Sequence, residues 1–323
     1  MIVTTVTIPP AAFPGELQRG IFMTPMHFTV ITTCLNSAAT IERTICSVLD
    51  QGYESLQYIV IDRGSKDETG EIISLYENEL IWLSEAGATH AQALNTALSH
   101  AKGETIVFAD DVLLPGVLHD MAKRMSLPGA PQWFVGHSIQ LDRDDVEVGS
   151  VQPVMPASLS RYLMHDSGML PLQSTFIARA LLSSADNFDG SLIHAHDYDC
   201  WCRLMAQGHR PTVIGLELTG CWPHAETLTA AQTLTQGLEF ITIARRYASQ
   251  LSLRDQAALW RNCDQRQRIY ALAEAELSPS EARGHLWQRL LSHPWWIMDE
   301  SVRHTLMHGI THPAPAALTR TAA

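Results

Sequence analysis

Between Phe28 and Phe108 the chain alternates β-rich apolar runs with amphipathic helical segments four times, and few folds accommodate that order. Repeated strand–helix units demand a parallel sheet with helices packed on its faces. Phe28 to Thr33 is apolar and β-branched, and it stops at Cys34-Leu35-Asn36-Ser37, a turn and helix-cap composition. Ile41, Ile45, Val48 and Leu49 then recur at helical spacing, and Gly52 ends that helix. Gln57 to Ile61 reads as a second buried strand, Thr69 to Tyr76 as a helix, and Ile81 to Leu83 as a short strand. Ala91, Leu94, Leu98 and Ala101 mark another helix, stopped by Gly103 before the strand Glu104 to Phe108. The expected class is α/β, with a Rossmann-like, mostly parallel central sheet flanked by helices.

Beyond Thr227 the pattern becomes helical, as in Leu238 to Tyr247 and Asp255 to Leu277. The expected organisation is an irregular N-terminal arm over 1–26, an α/β domain over 27–226, a helical C-terminal appendage over 227–310 and a disordered tail over 311–323. The stretch 125–172 carries no legible pattern.

The formal charge of −12 argues against nucleic acid as a partner and against bulk attraction to anionic membranes. Six scattered cysteines, with Cys200-x-Cys202 as their closest pair, read as reduced thiols of a cytoplasmic protein. No run reaches the ~18 apolar residues of a membrane span, and the first residues lack the basic and apolar blocks of a signal peptide.

Three segments carry chemistry. Asp62 stands where the second strand ends, before Arg63-Gly64-Ser65, where a carboxylate meets a base or ribose and small residues admit a ligand close to the backbone. An ordinary strand-end turn, with Asp67 or Thr69 capping the next helix, explains the same residues. Asp110-Asp111 follows an apolar strand, and two adjacent acids there repel each other unless a hard divalent cation lies between them; a solvated acidic turn is the plainer alternative. Asp197, opening a helix that Gly208 stops, is a helix cap or a general base for an acceptor hydroxyl. His194-x-His196 lacks the partner spacing of a zinc site, whereas His224 is a candidate contact to metal or diphosphate.

In order along Phe28 to Thr229, these pieces resemble family 2 inverting glycosyltransferases of the GT-A fold. The matching residues are Thr33-Cys34-Leu35-Asn36, Ser47-Val48-Leu49-Asp50-Gln51 and the loop Asp62-Arg63-Gly64-Ser65-Lys66-Asp67-Glu68-Thr69. Ala93-Leu94-Asn95, Lys102-Gly103-Glu104, Asp110 to Gly116, Gln173 to Phe176 and Asp197 to Leu204 complete the set. The resemblance implies a metal-dependent enzyme that moves a sugar from a nucleotide-diphospho-sugar to an acceptor hydroxyl with inversion, in cell-surface or exopolysaccharide synthesis. It implies Thr33, Leu35, Asn36, Asp62, Arg63, Asn95, Asp110 and Gln173 at the nucleotide sugar, and Asp197 as the base. Asp111 and Asp110, with His224, would hold Mg²⁺ or Mn²⁺. The acceptor would be a saccharide or a lipid-linked saccharide, the latter drawing the protein to the inner face of a membrane as a peripheral partner. The Trp-bearing C-terminal helices leave room for a homo-oligomer.

Two departures set the rival expectation. Phe108 stands where the family usually has an acid or Asn, and Ala86-Gly87-Ala88-Thr89 follows Ser84-Glu85 where a polar run is common. Arg63 stands where Gly or Asp is usual and offers a replacement positive charge. The rival is a catalytically degenerate GT-A-like binding or scaffold subunit.

Overall fold

The computed structural model describes residues 25–142, 146–165, 169–222, 230–277 and 282–308. In chain order its first elements are β1 (Phe28–Cys34), α1 (Ile41–Leu49), β2 (Leu56–Asp62), α2 (Thr69–Ser74), β3 (Ile81–Ser84), α3 (His90–His100) and β4 (Thr105–Phe108). These are the elements that the apolar periodicity predicts, with ends moved by a residue or two. There follow β5 (Val112–Leu113), α4 (Val117–Met125), β6 (Trp133–Leu141), β7 (Glu147–Val151), α5 (Leu159–Leu163), β8 (Thr175–Ala178), α6 (Arg179–Ser184), α7 (His196–Ala206) and β9 (Thr212–Cys221). The helices α8 (Ala230–Arg246), α9 (Leu253–Leu277), α10 (Ala282–Ser292) and α11 (Glu300–His308) close the described chain.

The sheet runs β3-β2-β1-β4-β8-β6-β9-β5, with β7 paired to β6. Its first four strands are parallel, β1 lying between β2 and β4 with Cys34 opposite Asp62 and Ile31 opposite Phe108. Parallel pairing turns the C-terminal ends of β1, β2, β3 and β4 to one edge, the edge where α/β sheets take ligands. Beyond β4 the sheet reverses: β8 is antiparallel to both β4 and β6, whereas β6 and β9 run parallel. The α/β class with a largely parallel core sheet, expected from the sequence, is the fold found.

Side chains of β1 and β2 alternate between two buried layers, as a sheet covered on both faces requires. Val30, Tyr58 and Val60 meet α1, α2 and α4 through Ile45, Ile73 and Leu118. Ile31, Ile59 and Ile61 face the other way, in one apolar cluster with Leu94 of α3, Trp201 of α7, Phe240 of α8 and Cys263 of α9. The C-terminal helices α8 and α9 thus belong to that core layer, α8 through the Tyr198 ring of α7, 4.7 Å from that of Phe240. A smaller cluster joins Ala271, Leu286, Leu290, Trp296, Val302 and Leu306. The boundary expected near residue 226, the arm before residue 25 and the tail lie outside the described residues. Among the described residues no helix is long and apolar enough to cross a membrane.

Gly103, expected only to stop a helix, has a tighter duty. Its N–H donates to Thr29 Oγ1 at 2.8 Å, and a Cβ there would lie 2.4 Å from Thr29 N and 2.5 Å from Phe28 C. Both contacts are with the backbone of the central strand, which cannot step aside without disturbing its pairing with β4. Gly103→Ala is expected to lower unfolding free energy by about 2 kcal/mol or more, an overpacking cost. Urea denaturation followed by circular dichroism measures it.

Candidate active site

Two loops at the C-terminal edge are laced together by side chains that the sequence offers as turn formers. Asp62, buried at the end of β2, accepts three bonds on one oxygen, Oδ1: from Gly64 N at 3.2 Å, Ser65 N at 2.9 Å and Ser65 Oγ at 2.6 Å. Asn36 takes a left-handed backbone, φ 52°, which Asn tolerates better than most residues. Its N–H donates to Ser65 Oγ at 2.8 Å, and its Oδ1 accepts from Lys66 N at 2.9 Å. Asp67 accepts from Ala38 N and from Thr69, which holds its carboxyl below the ordinary range. Thr33, Leu35, Asn36, Asp62 and Arg63 therefore form one rigid rim, with Leu35 exposed upon it. Arg63 Nε is buried with no hydrogen-bond partner among the described residues.

Next along this edge lies Asp110. Its Oδ1 accepts from Thr33 N at 2.9 Å and from Thr33 Oγ1 at 3.2 Å, and its Oδ2 lies 3.2 Å from His90 Nε2. Burial would raise this carboxyl, but His90 and Thr33 outweigh it and the group is held low. His90 reaches that position because Thr89 and Gln92 form a reciprocal capping box at the start of α3. The Gly87-Ala88-Thr89 departure is thus a turn and a cap that deliver a histidine to the site. No motif in the sequence marks His90; its only signal is a histidine opening a helix behind a parallel strand.

Asp111 points elsewhere. It is buried near Cys221, whose thiol is pushed up to about 12 by burial and then by the Asp111 charge. Pairing of Val112 with Gly220 sets these two side by side, and Gln173 Nε2 meets Cys221 Sγ at 3.8 Å. Phe108, in place of an acid, is wholly buried with its ring 5.8 Å from that of Phe188. Asn95 has both polar ends of its amide on one backbone unit, donating to Phe188 O at 2.7 Å and accepting from Phe188 N at 3.1 Å. What it visibly does is hold the Phe188 loop against α3.

Asp197, half-buried in the first turn of α7, accepts from Tyr198 N at 2.7 Å. Burial raises its carboxyl above the ordinary value, and the Tyr198 N–H and the His90 charge only partly offset this. Neighbouring His196 is buried, with its pKa pushed down to about 3, and it stays neutral. Its ring packs edge-on against His90 at 4.8 Å and against Phe188 at 5.8 Å. His90 therefore stands between Asp110 on the strand side and the start of α7.

The start of α7 is held from the C-terminal helices. Glu239 of α8 accepts from Ile193 N at 2.8 Å, His194 N at 2.9 Å and Ala195 N at 2.8 Å. A carboxylate before a helix is also favoured by the helix dipole. No local pattern foretold this bond, which joins residues far apart in the chain. Arg203 pairs with Asp199 at 2.8 Å across one turn of α7, and the Asp199 carboxylate is buried.

For a metal, the donor set decides. Among the described residues no three or more His, Cys, Asp or Glu side chains come together as a ligand group, and His224 lies outside them. A Mg²⁺ or Mn²⁺ that arrives on a diphosphate needs only one or two carboxylates from the protein. One such carboxylate is at hand in Asp110, whose Oδ2 lines the cleft, whereas Asp111 lies against Cys221.

Residues 29–136 match the model of the family described as Glycosyl transferase family 2. An uncharacterised glycosyltransferase of Rickettsia prowazekii is 26% identical over 186 residues, covering 54% of this chain and 58% of that protein. The chain thus spans somewhat more than half the length of this curated relative. Among solved structures, residues 1–349 of S. aureus TarS in complex with UDP-GlcNAc align with a TM-score of 0.53 at 16% identity, covering 86% of this chain and 89% of that one. A Pyrobaculum calidifontis mannosyltransferase in complex with GDP-Man and Mn²⁺ aligns with a TM-score of 0.50 at 18% identity, covering 90% and 88%. Both likenesses are of fold.

Glu239→Ala would strip three N–H groups of their acceptor. The expected result is a stability loss of about 1–2 kcal/mol, together with faster hydrogen exchange at residues 193–195. Exchange unchanged at those amides would show that the carboxylate does not order the loop.

Proposed function

We propose that this chain, whose residues 29–136 match the Glycosyl transferase family 2 model, moves a sugar from a nucleotide-diphospho-sugar to an acceptor hydroxyl with inversion at the anomeric carbon. The observation that carries this is the position of His90, which touches Asp110 at 3.2 Å and packs edge-on at 4.8 Å against His196, the residue before Asp197. A donor-side carboxylate and a carboxylate with the character of a base thus share one cleft at the ligand edge of a parallel sheet.

In this reading the rim of Thr33, Leu35, Asn36 and Asp62 takes the nucleotide. Arg63, with its buried Nε, lends positive charge near the phosphates. Asp110 and Asp111 hold a divalent cation, with His224 a further candidate from the sequence. When bound, such a cation neutralises charge on the departing diphosphate as a Lewis acid. Mn²⁺ accompanies GDP-Man in the mannosyltransferase of similar fold, which supports a divalent cation in folds of this kind. Gln173 lies beside Cys221, on the Asp111 side of the cleft, and is assigned to the sugar or acceptor. Asp197 takes the proton from the acceptor hydroxyl, whose oxygen attacks the anomeric carbon from the face opposite the diphosphate. A carboxyl raised by burial suits that work, because a base functions best with a pKa near the working pH. The acceptor is proposed as a saccharide or lipid-linked saccharide hydroxyl in polysaccharide assembly, as the family resemblance implies.

The pH dependence follows in sign. The base must be deprotonated, so activity falls as pH drops through the Asp197 pKa, which lies above the ordinary 3.8. The acid limb of kcat/KM is therefore expected above the usual carboxylate range. Asp197→Asn should lower kcat by about 10²–10⁴-fold and leave nucleotide affinity near wild type. Donor turnover with UDP- and GDP-sugars, read as released nucleoside diphosphate, is the test. Turnover unchanged in Asp197→Asn would remove the assigned base. No turnover by the wild type, with nucleotide still bound, would favour the binding-subunit alternative.

A further inference from the structure

The contact between His90 and Asp110 has no part in the transfer steps above, yet it occupies an oxygen that a cation would use. Oδ1 of Asp110 is engaged by Thr33 N at 2.9 Å and Thr33 Oγ1 at 3.2 Å. Oδ2 is left as the oxygen for a ligand, and His90 Nε2 lies 3.2 Å from it. Both side chains are about one-quarter exposed, 26% and 25%, so the pair lines the cleft and is not sealed in the core. The imidazole is held in place from two directions. The Thr89–Gln92 capping box fixes its backbone, and the buried ring of His196 packs edge-on against it at 4.8 Å.

We propose that His90 is a positioning residue that holds Asp110 Oδ2 in the donor-free protein and yields it to the cation, so that His90 and the cation exclude each other at that oxygen. This deepens the functional reading and rests on its assignment of Asp110 to the cation. The exchange rests on position and not on a formed hydrogen bond: an imidazole nitrogen 3.2 Å from Oδ2 stands where a cation would approach that oxygen. A cation arriving alone displaces the imidazole with only its own bond to Asp110 as compensation. With a nucleoside diphosphate the balance changes. The phosphate oxygens complete the coordination of the cation and offer the displaced Nε2–H a new acceptor. Cation and nucleotide then bind cooperatively, each strengthening the other.

The test is a Mn²⁺ titration without nucleotide, followed by the electron paramagnetic resonance signal of free Mn²⁺. The proteins are wild type, His90→Ala, Asp110→Asn and the double variant. His90→Ala should bind Mn²⁺ about tenfold more tightly than wild type, the scale of one polar contact to a charged group. That gain should vanish in the Asp110→Asn background. His90→Phe keeps a ring against His196 but has no N–H, and it should show the same gain if His90→Ala folds poorly. Equal or weaker Mn²⁺ affinity in the folded His90 variants would overturn the proposal, and so would a gain that survives Asp110→Asn. Repeating the titrations with UDP and GDP separates the two levels. If wild type takes up Mn²⁺ with a nucleotide while the His90 variants change nothing, the exchange fails and the functional reading stands. If none of the four proteins binds Mn²⁺ with or without nucleotide, both fail.

Discussion

The parallel pairing of β1 with β2 on one side and β4 on the other governs everything at the site. Cys34 lies opposite Asp62 and Ile31 opposite Phe108, so the chain leaves three strands at nearly the same height. Asp62, Thr33 and Asp110 are brought together by this register and by no sequence proximity. A strand slip of one residue would turn each of these side chains to the opposite face. The close approach of Gly103 to the β1 backbone shows how little freedom the central pairing has.

Loop chemistry then fixes the direction of each group. The first two loops satisfy each other through Asn36, Ser65, Asp67 and Thr69, an internal lattice of short bonds. The rim is therefore rigid before a ligand arrives, which reduces the ordering cost of binding. The opposite wall is built differently. Asp197 depends on a helix start that Glu239 holds from α8, and α8 itself packs on α7, with the Phe240 ring 4.7 Å from that of Tyr198. The C-terminal helices are in this sense part of the cleft's construction.

Much of this was legible in the sequence because it is local. Apolar periodicity specifies β1 through β4 and the helices between them, and Asp62-Arg63-Gly64-Ser65 announces a strand-end loop. The unreadable stretch 125–172 holds β6, whose Trp133-Phe134-Val135 run is buried without a period of two, a pattern shared by strands and buried helices. The chain reverses at β8, and only tertiary pairing with β4 and β6 makes that strand. His90 and Glu239 stayed hidden for a similar reason. Each acts on a partner brought near by the fold: His90 on Asp110 across two loops, Glu239 on residues 193–195 from a distant helix. Asn95 illustrates the reverse, a motif residue whose visible bonds are to the Phe188 backbone.

As proposed, this edge of the sheet binds a nucleoside diphosphate with a divalent cation at the Asp110–Asp111 pair. Isothermal titration calorimetry with UDP, GDP, dTDP and CMP, each with and without Mn²⁺, on wild type and Asp111→Ala, tests it most directly. Saturable binding of one diphosphate nucleotide is expected, strengthened by Mn²⁺, with the strengthening lost in Asp111→Ala. Binding of none of the four, or a Mn²⁺ effect that is the same in both proteins, would contradict it.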